Sequence, residues 1–169
     1  MPPKSDTAFL KAFTNLIGVE GGFTDNPKDD GNWTGGKQGS GVLKGTKYGI
    51  AASSYPHLDI PNLTLEQAQE VYYKDFWMPC KADKLPFPIA NALFDCAVNS
   101  GVKTAAKLLQ RACGIAEDGV IGEITLKVWG TELKTRCPSV VFRHLPPSTE
   151  PRCHVVRAWR HSVRAASRS

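Results

Sequence analysis

A chain of 169 residues that is 41% hydrophobic has the size of one domain, or of one domain in two lobes, with a sizeable core. No stretch approaches the roughly 20 apolar residues of a membrane span, and five dispersed cysteines without a CxxC pair suit buried or free thiols better than a disulfide framework. The net charge of +5 is uneven: residues 1–130 carry 13 basic and 14 acidic side chains, whereas residues 131–169 carry 8 and 2, so the positive excess belongs to the tail.

The first residues, MPPKSDTAFLKAF, contain no continuous apolar segment of the secretory type, so the expectation is a cytoplasmic chain. Phe9, Leu10, Phe13, Leu16 and Ile17 recur at helical spacing behind the N-cap candidates Ser5, Asp6 and Thr7. This predicts a helix over about 6–19, stopped near Gly18 and Gly21-Gly22. Residues 21–50 hold nine glycines and read as a long loop with short strands near Leu43 and Lys47–Ile50. Thr64 and Gln67 form a T-x-x-Q capping box, and Ala68, Val71, Tyr72 and Phe76 continue one helical face to about Trp77. Tyr72, Tyr73, Phe76 and Trp77 read as core.

Pro79, Pro86 and Pro88 mark a connector. Ile89, Ala90, Leu93, Phe94, Ala97 and Val98 make a strongly apolar helix ending near Gly101. Thr104–Ala112 makes another, stopped by Gly114; Asp118-Gly119 is a turn, and Ile121–Trp129 is a short helix ended by Gly130. The body is mainly α, with one glycine-rich, short-β region after the first helix. From Thr131 the composition shifts abruptly to a basic, proline-rich tail.

Glu20 is the first candidate for chemistry. It follows Val19 and Ile17 at the end of an apolar face, where partial burial would raise a carboxyl pKa and keep a general acid protonated. Gly21 and Gly22 leave room for a polymer to approach. The alternative is a solvated acidic helix end. A second carboxylate is needed to stabilise positive charge or position water, and Asp25, Asp29 and Asp30 are all available.

The order of segments is more specific. Glu20-Gly21-Gly22, Asn26-Pro27, Asp29-Asp30-Gly31 and Thr46-Lys47-Tyr48-Gly49-Ile50 are followed by Tyr72-Tyr73-Lys74-Asp75-Phe76-Trp77. Eight residues separate Glu20 from Asp29, and Thr46 follows. This arrangement resembles phage-type lysozymes, and most closely glycoside hydrolase family 108, a family of phage and prophage N-acetylmuramidases. The resemblance covers about residues 8–129. In the second half, Phe94–Gly101, Ala105–Gln110 and Asp118–Leu126 resemble the peptidoglycan-binding region of that family.

The resemblance implies a lysozyme-like, two-lobed helical domain over 1–130. Its catalytic lobe would span 8–80, its peptidoglycan-binding-like lobe 88–130, with 131–169 an atypical basic tail. It implies that Glu20 is the general acid, Asp29 the second carboxylate and Thr46 a holder of water. Trp33, Tyr48, Asp95 and Asn99 are substrate-binding candidates. Trp33 suits either a sugar face or a loop anchor, and Asp95 and Asn99, four apart on one helix face, suit either sugar binding or a helix-to-loop hydrogen bond. The segment Asn32–Lys44 is an insert relative to shorter members, so the position of Thr46 relative to Glu20 depends on it.

The expected reaction is an endolysin-type hydrolysis of the β-1,4 bond between N-acetylmuramic acid and N-acetylglucosamine, with no metal or cofactor. Expected partners are bacterial peptidoglycan and a holin-like membrane protein that releases a monomeric enzyme from the cytoplasm to the wall. Inversion or retention depends on whether the carboxyl groups stand about 6.5–9.5 Å or about 5–5.5 Å apart. The competing class is a catalytically impaired wall-binding protein or prophage remnant. A zinc site from Cys137, Cys153, His154 and His161 has no common ligand spacing. Nucleic acid is not an expected partner, because the basic tail lacks an interleaved aromatic pattern. That tail reads either as a solvated ending, altered or replaced, or as an electrostatic attachment to anionic wall polymer or membrane.

Overall fold

The computed structural model describes residues 6–18 and 22–128. The chain divides into two compact units, Met1–Tyr72 and Tyr73–Ser169. The basic tail, the Cys137/Cys153/His154/His161 set and Glu20 lie outside the described residues.

The first unit opens with α1 (Thr7–Ile17). Asp6 caps it, its carboxylate accepting from the Phe9 N–H at 2.9 Å, an interaction worth about 1 kcal/mol. Gly18, at φ 71°, ends it where a side chain would be strained. The buried stripe is Phe9, Ala12 and Phe13. Three two-residue strands follow, β1 (Phe23–Thr24), β2 (Thr46–Lys47) and β3 (Ile50–Ala51). They form one antiparallel sheet with β2 in the middle, pairing Thr24 with Thr46 and Thr46 with Ala51. The β2–β3 loop is Tyr48-Gly49, both with positive φ (51° and 75°), the pattern of a type I′ hairpin turn.

Helix α2 (Leu65–Tyr72) begins at the expected capping box: the Thr64 N–H donates to Gln67 Oε1 at 2.9 Å, and the Gln67 N–H to Thr64 Oγ1 at 3.2 Å. Its last residue, Tyr72, packs edge-on against Phe13 with ring centroids 5.4 Å apart. The Tyr72 hydroxyl donates to the Tyr48 carbonyl at 3.0 Å. Burial pushes its pKa up to about 12. A Cβ on Gly49 would lie 2.6 Å from that hydroxyl, so glycine is required there for space as well as for φ. Ile50, Ala52, Ile60, Leu63 and Ala68 complete this core.

In the second unit the regular helix expected to reach Trp77 is replaced by a π-turn over Tyr73–Trp77, with the Met78 N–H bonded to the Tyr73 carbonyl at 2.9 Å, five residues back. After a 3₁₀ turn (Ala82–Lys84) come α3 (Phe87–Ser100), α4 (Val102–Cys113) and α5 (Glu123–Lys127). Pro88 lies inside the first turn of α3 rather than in a connector, because a proline there gives up an N–H that has no helical partner anyway. Helices α3 and α4 are joined by Gly101 alone, at φ 87°. The two helices pack on each other, and each buries small side chains, Ala90 and Ala97 on α3 and Ala105 and Ala106 on α4. Trp77 packs edge-on to Phe94 at 5.5 Å. Cys80 and Cys96 are buried cysteines, and burial pushes Cys80 up to about 12. Among the described residues, no helix is long and apolar enough to cross a membrane.

Candidate active site

The loop between β1 and β2 is organised by one residue that the motif order did not single out. Asn32 is fully buried and ends a 3₁₀ turn, Asp30–Asn32. Its side-chain Nδ2 donates to the Asn26 carbonyl at 3.0 Å, and its Oδ1 accepts the Thr46 hydroxyl at 2.7 Å. Its backbone N–H donates to the Asp29 carbonyl at 3.1 Å. Its own carbonyl accepts from the N–H groups of Lys44 and Gly45, each at 3.0 Å. A buried amide with this many partners fixes the loop, because each lost bond would strand a polar group away from water.

These bonds also explain the insert. Lys44 and Gly45 return to the carbonyl of Asn32, so residues 32–45 leave and re-enter the loop at one point. Within the excursion, Trp33 bridges Leu43, the Thr34 N–H reaches the Val42 carbonyl at 3.0 Å, and the Gly35 N–H reaches the Ser40 carbonyl at 3.1 Å. Thr46 therefore bonds to Asn32, the first residue of the insert, which is itself tied back to Asn26 and Asp29 in the loop that precedes it. Gly45, at φ 81°, is where the chain turns back: a Cβ there would lie 2.5 Å from the Thr24 carbonyl and 2.6 Å from the Phe23 ring.

Asp29, Asp30 and Asp25 are all exposed but differ in engagement. Asp29 caps the 3₁₀ turn, one oxygen accepting from the Gly31 N–H at 2.9 Å. Its other oxygen has no hydrogen bond among the described residues. Asp30 uses its carboxylate on the Gln38 N–H of the insert at 2.9 Å. Asp25 makes no hydrogen bond among the described residues. Trp33 is half-buried and donates its indole N–H to the Pro27 carbonyl at 2.9 Å. Tyr48 is half-buried in the left-handed turn, with the Lys47 ammonium 5.6 Å from its ring centroid. Lys47 also donates to the Pro61 carbonyl at 3.0 Å, and Lys44 to that of Pro56 at 2.7 Å, tying this edge to the 56–61 loop.

Asp29, Trp33, Thr46 and Tyr48 thus lie on one hydrogen-bonded loop-and-sheet system of the first unit. Asp95 and Asn99 form a separate pair on α3 of the second: the Asn99 amide donates to the Asp95 carbonyl at 2.8 Å and to its carboxylate at 3.2 Å. Among the described residues no group of three or more His, Cys, Asp or Glu is arranged to hold a metal ion. The arrangement offers an exposed carboxylate on a rigid turn, and a hydroxyl whose proton is already committed and whose lone pairs can accept from water.

The model of the family described as glycosyl hydrolase 108 matches residues 13–101. The chain belongs to that family. It is accordingly a glycoside hydrolase, of a family that degrades peptidoglycan. The matched segment runs from α1 through the sheet, the Asn32 loop and α2 to the end of α3. Among solved structures the chain is similar to SagA of Brucella abortus, at 25% identity and a TM-score of 0.59, over 92% of this chain and 79% of that one. No curated protein matches.

Proposed function

We propose that this family 108 hydrolase is an endolysin-type N-acetylmuramidase, cleaving the β-1,4 bond between N-acetylmuramic acid and N-acetylglucosamine. Glu20 is the general acid that protonates the leaving oxygen. Asp29 is the second carboxylate, and Thr46 holds the water. The observation that supports this most is the Asn32 loop, which ties Asp29 and Thr46 into one hydrogen-bonded unit and leaves an Asp29 oxygen unengaged by the described residues. Glu20 enters through chain order: only Gly21 and Gly22 separate it from Phe23, the first residue of the strand that pairs with Thr46.

In this reading Trp33 and Tyr48 border the site, and Asp95 and Asn99 contact sugar from the helical lobe. The basic 131–169 segment attracts anionic wall. The enzyme acts as a monomer released by a holin-like partner, as the prophage type of the resemblance implies.

The test is hydrolysis of isolated peptidoglycan by the full chain and by Glu20→Gln, read as new reducing ends. The expected result is loss of about a hundredfold or more in Glu20→Gln, the usual scale for removing a general acid. Full activity in Glu20→Gln overturns the assignment. Inactivity of both proteins, with both pelleting on the wall, points instead to a binding protein.

A further inference from the structure

We propose that Asn32 is a positioning residue for the hydrolysis, acting through Thr46. This rests on the reading that Thr46 holds the water. A threonine hydroxyl has one proton and two acceptor lone pairs and rotates freely unless its proton is committed. Here the proton is donated to Asn32 Oδ1 at 2.7 Å, and Thr46 is half-buried in the central strand. The hydroxyl is therefore set as an acceptor: it can take a hydrogen from water and cannot donate to that water's oxygen. A nucleophilic water held this way keeps its lone pair free for the anomeric carbon, while its second hydrogen is available to the carboxylate that draws off the proton.

Asn32 is itself held against rotation. An amide that only accepted from Thr46 could flip its oxygen and nitrogen. The Nδ2 bond to the Asn26 carbonyl at 3.0 Å opposes this, since a flip would set oxygen against oxygen. The same residue donates its backbone N–H to Asp29 at 3.1 Å, so the orientation of the hydroxyl and the position of the carboxylate-bearing turn are set together. Full burial keeps water from competing for Oδ1. An aliphatic residue of similar volume would fill the space and give none of this orientation.

The experiment is a double-mutant cycle on the full chain with Asn32→Leu and Thr46→Val, measuring kcat and KM on solubilised peptidoglycan and checking each fold by circular dichroism. Each single substitution is expected to lower kcat by roughly ten- to a hundredfold with little change in KM, the scale of a misplaced reacting group. The double variant is expected to be no worse than the poorer single one, because both remove the same oriented hydroxyl. Multiplying losses in a folded double variant overturn the proposal, as does an Asn32→Leu that keeps the parent kcat while Thr46→Val loses it. If Thr46→Val matches the parent while Glu20→Gln is inactive, the Thr46 reading fails and the proposal fails with it.

Should Asn32→Leu not fold, a crystal structure of Glu20→Gln with a bound peptidoglycan fragment decides. A water accepted by Thr46 Oγ1 on the side away from Asn32 supports the proposal. A Thr46 hydroxyl turned away from Asn32 overturns it.

Discussion

Among the described residues, each unit has one buried primary amide that closes an Asp-led, glycine-containing turn, and the two are used differently. In the second unit Gln110, 2% exposed, donates to the Asp118 carboxylate at 2.6 Å and to the Val120 carbonyl at 2.9 Å, and accepts from the Gly119 N–H at 2.9 Å. All three bonds stay within the turn that leads to α5. In the first unit Asn32 uses its side-chain oxygen on Thr46 and not on the leading carboxylate, so Asp29 accepts from the Gly31 N–H, whereas Asp118, equally exposed, is held by the amide itself. The helical unit's amide closes its turn on itself, whereas the glycine-rich unit's amide closes its loop around the groups proposed above to meet substrate. In the proposed reading, similar buried-amide chemistry serves a site only where its bonds end on residues able to react.

Substitutions of the leading aspartates should separate these uses most sharply. Asp29→Asn can still accept from Gly31, so the turn persists while the charge is lost. Peptidoglycan hydrolysis should then fall by about a hundredfold, with an unchanged melting temperature. A comparable loss in Asp118→Asn, by the same reducing-end assay, would remove the contrast.

Next comes Gln110→Leu, which leaves the Gly119 N–H and Val120 carbonyl without their amide partner and should cost about 1–3 kcal/mol in urea unfolding. Gly45→Ala tests the other turn. It forces a Cβ onto the Thr24 carbonyl at a φ of 81°, and a loss of at least about 1 kcal/mol is expected by the same titration.

The smallest expected effect is on acid stability. The hydrogen bond from Gln110, then that from the Val120 N–H, holds the Asp118 carboxyl below its usual range. Glu117 is lowered as well, first by its hydrogen bond from Arg111, which also makes an exposed 2.7 Å ion pair with it. Below the ordinary carboxylate range, about 4, the unfolded chain binds these protons first. The stabilisation is thus complete above that range and is lost as pH falls through the depressed folded values. Thermal melts from pH 5 downward should show a shallower decline in Asp118→Asn than in the parent.

Much of this was legible in the chain because it depends on near neighbours. Asp6, the Thr64–Gln67 box, Gly18, Gly101 and Gly114 act within four residues of their targets, so their roles follow from residue type and spacing. The segment order from Glu20 to Trp77 was specific enough to indicate the family. The role of Asn32 was not legible. Its bond to Thr46 crosses fourteen residues, most of them in the insert, and an Asn after Asp-Gly reads as an ordinary turn residue. The π-turn at Tyr73–Trp77 was hidden for another reason: a continuing apolar stripe fits either an α-helix or a helix widened by one residue.

By itself, then, the sequence determined the helices, their stops, the glycine-rich interruption and the family of hydrolase, all through local propensity and motif order. Only the tertiary structure decided that the insert closes on itself and that Thr46 and the Asp29 turn are joined through one buried amide. A hydrogen-bond partner fourteen residues away is chosen by the folding of the chain between, and no local pattern encodes it.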